Sequence, residues 1–105
     1  MRVEGFRDLV VWQKAVELVI ECYKATRDFP STERYGLTSQ LQRAAVSVPA
    51  NIAEGKGRGF NGSYVNHLAI ANGSLCELET HIEIAKQLGY LRIDQSEQLQ
   101  QISGK

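Results

Sequence analysis

The sequence predicts an all-α fold, in which four helices pack as an antiparallel bundle and the fourth helix is short. Apolar residues recur at helical spacing in four segments, and the third segment carries a sustained heptad seam of the kind found in antiparallel bundles. The chain has 105 residues, which fits one domain, so residues 1–105 are expected to form a single bundle.

The first helix is predicted from about Asp8 to Arg27, with Asp8 as its N-cap. Pro30 ends it, because the residue before a proline disfavours the α-helical region. One face of the helix is apolar and is wider than packing against one neighbouring helix requires. The residues that repeat at helical spacing on this face are Leu9, Trp12, Val16, Val19 and Tyr23, and those that widen it are Val11, Ala15, Leu18 and Cys22.

The second helix is predicted from about Thr38 to Glu54. Pro49 lies in its middle and removes one backbone hydrogen bond, so we expect a kink or a broken helix there. Gly55 is expected to end the helix. Residues 55–63 contain four glycines and are predicted to form a loop that leads into the third helix.

The third helix is predicted from near Ser63 to Gly89, which is roughly 40 Å long. Its heptad seam consists of Leu68, Ala71, Leu75, Leu78, Ile82 and Ala85. The fourth helix is predicted to start at Asp94, where Asp94 and Glu97 resemble a capping box. It spans roughly 15 Å and covers less than half of the third helix. We therefore expect something else to cover the remainder, or part of the fourth helix to be missing from this chain.

Charge and cysteine content restrict the class of protein. Twelve basic and twelve acidic side chains cancel, which weighs against a dedicated nucleic-acid-binding domain without excluding local basic patches. No signal pattern or bilayer-spanning apolar run occurs, so we predict a cytoplasmic protein with no membrane partner. Cys22 and Cys76 both fall in predicted helices and are interpreted as small buried apolar residues, with a disulfide as the alternative.

A polar stripe is predicted on the second helix, at residues three or four apart. The stripe on the second helix consists of Arg43, Ser47, Asn51 and Glu54. We expect it to form a hydrogen-bonded network that fixes helix packing or a subunit interface, with contact to a ligand or nucleic acid as the alternative. On the third helix, Gly73 would allow another helix to approach closely. This glycine belongs to a second stripe, off the heptad seam, which is expected to pack against the polar stripe of the second helix or against a neighbouring subunit. The second stripe consists of Asn66, Ile70, Gly73, Ser74, Glu77 and Ile84.

Two cations, Lys56 and Arg58, lie in the glycine-rich segment before the third helix. Backbone donors at a helix N-terminus together with two cations could hold a phosphate, so the segment is a candidate contact for a nucleic-acid backbone. A plain flexible connector is the alternative. The segment is not a P-loop, because glycine follows Lys56 where serine or threonine is needed and no predicted strand precedes it.

No catalytic, metal or cofactor site is predicted, and the protein is interpreted as non-enzymatic. His67 and His81 are fourteen residues apart on one helix, or roughly 21 Å, so they cannot share a metal ion. Glu77 and His81 are neighbours at i and i+4, but the paired Glu-x-x-His motifs of metal-binding bundles are lacking. No serine or cysteine is visibly matched with a histidine and an orienting acid.

Three segments are distinctive as motifs: residues 6–13 (FRDLVVWQ), 43–55 (RAAVSVPANIAEG) and 71–79 (ANGSLCELE). In this order they resemble the four-helix-bundle family encoded within intervening sequences of bacterial 23S ribosomal RNA genes. That family is similar to the accessory variability proteins of diversity-generating retroelements. The resemblance covers nearly the whole chain.

The resemblance implies an up-down-up-down four-helix bundle that assembles into a ring-like homopentamer. For the retroelement relatives it also implies binding to nucleic acid and to a reverse transcriptase, whereas the biochemical role of the ribosomal members is not established. This chain differs in its shorter fourth helix, and it is neutral where the retroelement proteins are basic.

Two functions are therefore expected. In the first, the protein is a self-assembling accessory or scaffold that associates with RNA, DNA or a nucleic-acid enzyme. The segments with Lys56 and Arg58 would then cluster with Arg34, Arg2 or Arg7 into basic patches. In the second, the protein is a purely protein-binding oligomeric scaffold, with an exposed apolar groove where the fourth helix leaves the third uncovered.

Overall fold

The computed structural model describes residues 5–59 and 61–103. Within them the chain forms four helices, α1 (Val10–Thr26), α2 (Leu37–Gly57), α3 (Asn61–Gln87) and α4 (Ile93–Ile102), and 3-10 turns at Phe6–Asp8 and Ser31–Glu33. The described residues contain no strand, which confirms the all-α prediction. None of the described helices combines the length and the hydropathy that crossing a membrane requires.

Helices α2 and α3 pack against each other in antiparallel orientation and form the largest helix–helix contact of the fold. Ser47 of α2 meets Ser74 of α3, whereas Gly55, further along α2, meets His67, which comes earlier in α3. At 27 residues, α3 is about 40 Å long, and the molecule measures 43 Å in its longest dimension. Helix α3 therefore runs nearly the full length of the bundle.

The hydrophobic core consists of two clusters that follow one another along the bundle. The first lies among all four helices and includes Leu18, Cys22, Leu41, Leu78, Ile82 and Leu99. The second lies among α1, α2 and α3 and consists of Ala15, Val48, Ile52 and Ala71. Leu75 packs against both clusters. Because α4 contributes to the first cluster alone, the second has no helix above it on that side.

The predicted heptad seam of α3 is the core-facing side of that helix. Four of its members are buried, namely Ala71, Leu78, Ile82 and Ala85. The other two, Leu68 and Leu75, are half-buried and pack against the second cluster. The two half-buried members of the seam thus lie on the part of α3 that α4 does not cover.

Helix α2 runs through Pro49 as one helix, so the alternative of a broken second helix is wrong. Pro49 is buried, and Val48 and Ile52 pack into the core on either side of it. This burial maintains the helix although Pro49 has no N–H to donate.

Gly55 does not end α2, which continues to Gly57. A Cβ on Gly55 would lie 2.6 Å from the Cβ of His67, so this glycine allows α2 and α3 to approach each other. The chain turns at Gly59 instead, whose φ of 77° lies in the left-handed region that favours glycine. The predicted loop over residues 55–63 is correspondingly shorter.

The starts of α1 and α4 also differ from the prediction. Asp8 belongs to a 3-10 turn, and Leu9, in an extended conformation, precedes α1 in the cap position. At α4, the predicted capping box of Asp94 and Glu97 is wrong, because the Gln95 side chain accepts the Arg92 N–H at 3.0 Å. The helix begins one residue earlier than predicted, at Ile93.

Candidate interaction surfaces

The middle of the predicted polar stripe lies in a hydrogen-bonded network between α2 and α3. The hydroxyl oxygens of Ser47 and Ser74 are 2.8 Å apart. The Asn51 amide donates to the Ser47 hydroxyl at 3.0 Å and to the Ser47 carbonyl at 2.8 Å. All three side chains are half-buried, and each satisfies part of the hydrogen-bonding capacity of the next. The positions of Ser47 and Asn51 therefore fit a role in the packing of α2 against α3.

The charged ends of the stripe do not join this network. Arg43 is exposed. Glu54 accepts a hydrogen bond from Arg58 at 2.8 Å, and this bond holds the pKa of the Glu54 carboxyl below its usual range. His67 Nε2 lies 3.5 Å from the same carboxylate. His67 Nδ1 lies 2.9 Å from the Ser63 carbonyl oxygen.

The outer α2–α3 face, defined here as Val46, Ala50, Ile70, Gly73 and Glu77, is exposed. Val46 is 43% exposed and Ile70 is 45% exposed. In the antiparallel register, Ala50 and Gly73 lie between them, and both are exposed. A Cβ on Gly73 would meet no atom within 4 Å. Gly73 therefore has no packing role inside the chain, in contrast to its neighbour Ser74.

The predicted cations do not form one patch within the chain. Lys56 and Arg58 lie at the C-terminal end of α2, and Arg34 precedes its N-terminal end. The 21 residues of α2 separate the two groups, which is roughly 30 Å. Arg34 lies over the Tyr35 ring, at 5.6 Å from its centre, and Tyr35 is 87% exposed.

A smaller basic group lies at the end of the bundle where α1 and α3 begin. The turn Phe6–Asp8 contacts α2 and carries Arg7, whose guanidinium lies over the Phe6 ring. Lys56 Nζ lies 5.9 Å from the centre of the Tyr64 ring. Arg58 forms an ion pair with Glu54. Arg7 and Lys56 are the cations of this group that form no ion pair with another described residue. Arg2 lies outside the described residues.

An apolar groove runs between α1 and α3 beyond the end of α4, with α2 as its floor. It consists of two adjoining depressions, of about 120 and 180 Å³, which share Val11, Val48 and Leu75 in their walls. The first depression reaches Ile102 at the end of α4, and the second reaches Leu68. An exposed groove in this place is what the protein-binding hypothesis predicts.

The α1 side of the groove was not predicted as a site. Val11, Lys14 and Ala15 line it, and Val11 is 49% exposed. The available signal is the apolar stripe of α1, which is wider than one neighbouring helix requires. Part of that width faces the groove.

The two cysteines differ, and the prediction that both are buried is wrong for Cys76. Cys22 is completely buried in the first core cluster, and desolvation raises the pKa of its thiol to about 12. Cys76 is exposed, because it follows Leu75 on the outward side of α3. Both thiols are free. Among the described residues, no group of three or more His, Cys, Asp or Glu side chains could hold a metal ion.

Comparison with known protein families agrees with the resemblance that the sequence indicates. No curated protein matches the chain significantly. The profile of the family described as 23S rRNA-intervening sequence protein matches residues 7–104. All four helices lie within this range. The chain therefore belongs to the 23S rRNA-intervening sequence protein family.

Proposed function

We propose that the protein is a non-enzymatic helical scaffold that assembles with copies of itself through the outer α2–α3 face. The observation that carries this proposal is the composition of that face. Two branched apolar side chains, Val46 and Ile70, are nearly half exposed, and the small residues Ala50 and Gly73 lie between them. Small residues let a neighbouring backbone approach, and apolar side chains beside them gain free energy when a partner covers them.

A homopentameric ring, as implied by the family resemblance, is the proposed assembly. A ring of this kind is built from head-to-tail contacts, so the outer α2–α3 face would meet a different surface of the next subunit. Glu77, which belongs to this face, and Arg43 of α2 are both exposed. They would lie in or beside the contact and supply polar pairing at its rim.

Nucleic acid, or an enzyme that acts on it such as a reverse transcriptase, is the proposed partner of the assembly. Arg7, Lys56 and Arg58 lie at one end of the bundle, and Arg34 at the other. A single chain with no net charge offers little attraction to phosphate. A symmetric ring repeats each cation in every subunit, and this would create the basic patch that one chain lacks.

Native mass by light scattering tests the assembly, with two glycine variants of α3 as a matched pair. Gly73→Gln adds a side chain to the outer α2–α3 face, where its Cβ would have no described atom within 4 Å. Gly62→Gln adds the same side chain elsewhere on α3, where its Cβ would likewise have no described atom within 4 Å. We expect an oligomer for the natural protein and for Gly62→Gln, and a smaller species for Gly73→Gln. A monomeric natural protein would overturn the proposal.

Retardation of a structured RNA and a duplex DNA tests the nucleic-acid partner. We expect binding that weakens steeply with salt, and weaker binding with a smaller salt slope for Lys56→Ala. Arg27→Ala, which removes an exposed cation after α1, is the control. Absence of retardation at low salt would remove nucleic acid from the proposal and leave self-assembly standing.

The second candidate function is a purely protein-binding scaffold. The apolar groove between α1 and α3 favours it, because exposed apolar surface of this kind is typical of sites that bind other proteins. The pairing of Arg58 with Glu54 favours it too, since this ion pair reduces the positive charge near the α2–α3 turn.

A further inference from the structure

We infer that Tyr35 and Arg34 form a binding site for an unpaired nucleotide of a single-stranded nucleic acid, with the Tyr35 ring stacked on the base. This inference rests on the nucleic-acid partner proposed above. It adds the class of nucleic acid, single-stranded rather than duplex, and the side chain that selects it. It does not require self-assembly.

The ring of Tyr35 is presented to solvent more fully than any other large hydrophobic side chain among the described residues. Tyr35 is 87% exposed, whereas the next most exposed of these side chains, Ile93, is 69% exposed. An aromatic ring has a large apolar surface and gains free energy when a partner covers it. The exposure of Tyr35 therefore indicates a contact surface for a partner.

The turn that carries Tyr35 is anchored through Glu33. One carboxylate oxygen of Glu33 accepts the Leu37 N–H at 3.1 Å, at the start of α2, and the other accepts the Tyr90 hydroxyl at 3.0 Å. A Cβ on Gly36 would lie 2.9 Å from Glu33 Oε1, so this glycine leaves room for the carboxylate. The backbone that carries the ring is thus held in place before a ligand arrives, which lowers the entropic cost of binding.

Arg34 supplies the positive charge of the site. Its guanidinium lies over the Tyr35 ring, 5.6 Å from the ring centre, and forms no ion pair with another described residue. The carboxylate of the adjacent Glu33 does not neutralise it, because both oxygens accept hydrogen bonds from Leu37 and Tyr90. The charge of Arg34 is therefore open to pairing with a phosphate.

An unpaired nucleotide fits both groups, because it carries a flat base and a phosphate. The base would stack on the face of the Tyr35 ring opposite Arg34, and the guanidinium would donate to a phosphate of the same strand. In a duplex the base faces are stacked on one another, so the ring cannot reach them. Tyr35 thus favours a single strand, whereas Arg34 alone would not distinguish the two forms.

Fluorescence anisotropy with three labelled probes tests the inference. The first probe is an oligothymidylate of about twelve nucleotides, which is within the length that one single-strand site contacts. The second has the same length and charge but lacks the bases, and the third is a duplex of the same length. The pair of single strands separates stacking from attraction to phosphate.

Tyrosine variants identify the stacking side chain. Tyr35→Leu is expected to weaken binding of the oligothymidylate about tenfold and to leave the base-free strand and the duplex unchanged. Tyr23→Leu removes a tyrosine of α1 that is 44% exposed and should change none of the three. Tyr35→Trp should retain binding, and the oligothymidylate should quench its added indole fluorescence, measured against the natural protein with Trp12 alone. Circular dichroism confirms that the variants keep the helical content.

Removal of the guanidinium tests the phosphate contact. Arg34→Ala should weaken both single strands and lower the salt slope of each by roughly 0.7, as for the loss of one phosphate contact. Arg27→Ala, which removes another exposed cation, should leave both slopes unchanged. A loss confined to the base-containing strand would contradict the phosphate contact of Arg34.

The inference is overturned if Tyr35→Leu leaves the oligothymidylate unaffected or weakens the base-free strand equally. Retardation that depends on Lys56 but not on Tyr35 would remove the stacking site and leave the nucleic-acid partner standing. If the natural protein binds none of the probes and retards no nucleic acid, both proposals fail. If Tyr35→Leu lowers the native mass, the ring contacts a second copy of the chain instead.

Discussion

The hydroxyl oxygens of Ser47 and Ser74 lie 2.8 Å apart, midway along the contact between α2 and α3. Asn51 donates to the Ser47 hydroxyl, which leaves the Ser47 proton free to be donated to Ser74. The three side chains form a short polar layer midway along this contact. A layer of this kind disfavours a shifted pairing of α2 with α3, because a shift would bury these groups without partners.

Removal of either hydroxyl should destabilise the fold. Ser47→Ala and Ser74→Ala should each lower the free energy of unfolding by about 1 kcal/mol, and Ser47→Ala should cost more because Asn51 also loses an acceptor. In urea unfolding, the double variant should cost less than the sum of the single ones. Ser39→Ala, on the same helix, is the control, because its hydroxyl has no partner among the described residues. Strict additivity would show that the two hydroxyls are not coupled.

Alanine at Gly55 should be destabilising although alanine favours helix. The added Cβ would lie 2.6 Å from the Cβ of His67 and 3.3 Å from the Tyr64 Cα. Relief of this overlap requires α2 and α3 to separate, at about 1–3 kcal/mol in the free energy of unfolding. Gly57→Ala, two residues along the same helix, meets nothing within 4 Å and should be neutral or stabilising by up to about 1 kcal/mol. Equal effects of the two variants in urea unfolding would contradict the close approach at Gly55.

The two thiols should differ in reactivity. An aromatic disulfide reagent near pH 8 should modify Cys76 at once, and Cys22 should react only when the protein unfolds. Burial raises the pKa of Cys22 from 9.0 to about 12. Between these values the unfolded thiol ionises and the folded one does not, so this group's contribution to stability falls as the pH rises across that window. Modification of both thiols at similar rates in the folded protein would contradict the burial of Cys22.

Ionisation of Tyr90 should also lower the stability of the fold at alkaline pH. Its hydroxyl donates to Glu33 at 3.0 Å, and this hydrogen bond to a carboxylate raises the pKa of Tyr90 above 10.0. The resulting stabilisation is complete below pH 10 and is lost as the pH rises through the folded-state value. Tyr90→Phe should remove this loss, whereas Tyr23→Phe should preserve it. Chemical unfolding at several alkaline pH values, with phenolate absorbance as a second signal, measures the difference.

The sequence predicts those parts of the fold that depend on local spacing. The α3 seam from Leu68 to Ala85 can be recognised in the sequence because its apolar residues keep the heptad spacing along the helix. The sequence predicts that Gly55 ends α2, whereas it allows α3 to approach closely. The local sequence does not distinguish these two roles of a glycine, because the second depends on His67, which comes from another helix. The sequence predicts a kink or a break at Pro49. The helix is continuous because the burial of Val48, Pro49 and Ile52 stabilises it by more than one missing backbone hydrogen bond costs.

The candidate surfaces were predictable in part. Ser47 and Asn51 lie at helical spacing, so their shared face is evident, and Ser74 lies in the third-helix stripe that is expected to pack against them. Which residue of that stripe meets Ser47 depends on the register between the two helices. The separation of Arg34 from Lys56 follows from the length of α2, which was underestimated at its C-terminal end. The groove depends on where α4 stops relative to α1 and α3, and no local pattern contains that information.

The modest burial of α4 has a consequence for motion. Only Ser96 and Leu99 of this helix are buried, whereas α2 buries seven residues. Detachment of α4 should therefore cost much less than global unfolding, and its amide protons should exchange with solvent well before those of α2. When α4 detaches, the stripe from Val11 to Cys22 becomes open along its whole length. The helix would then act as a reversible cover of this stripe.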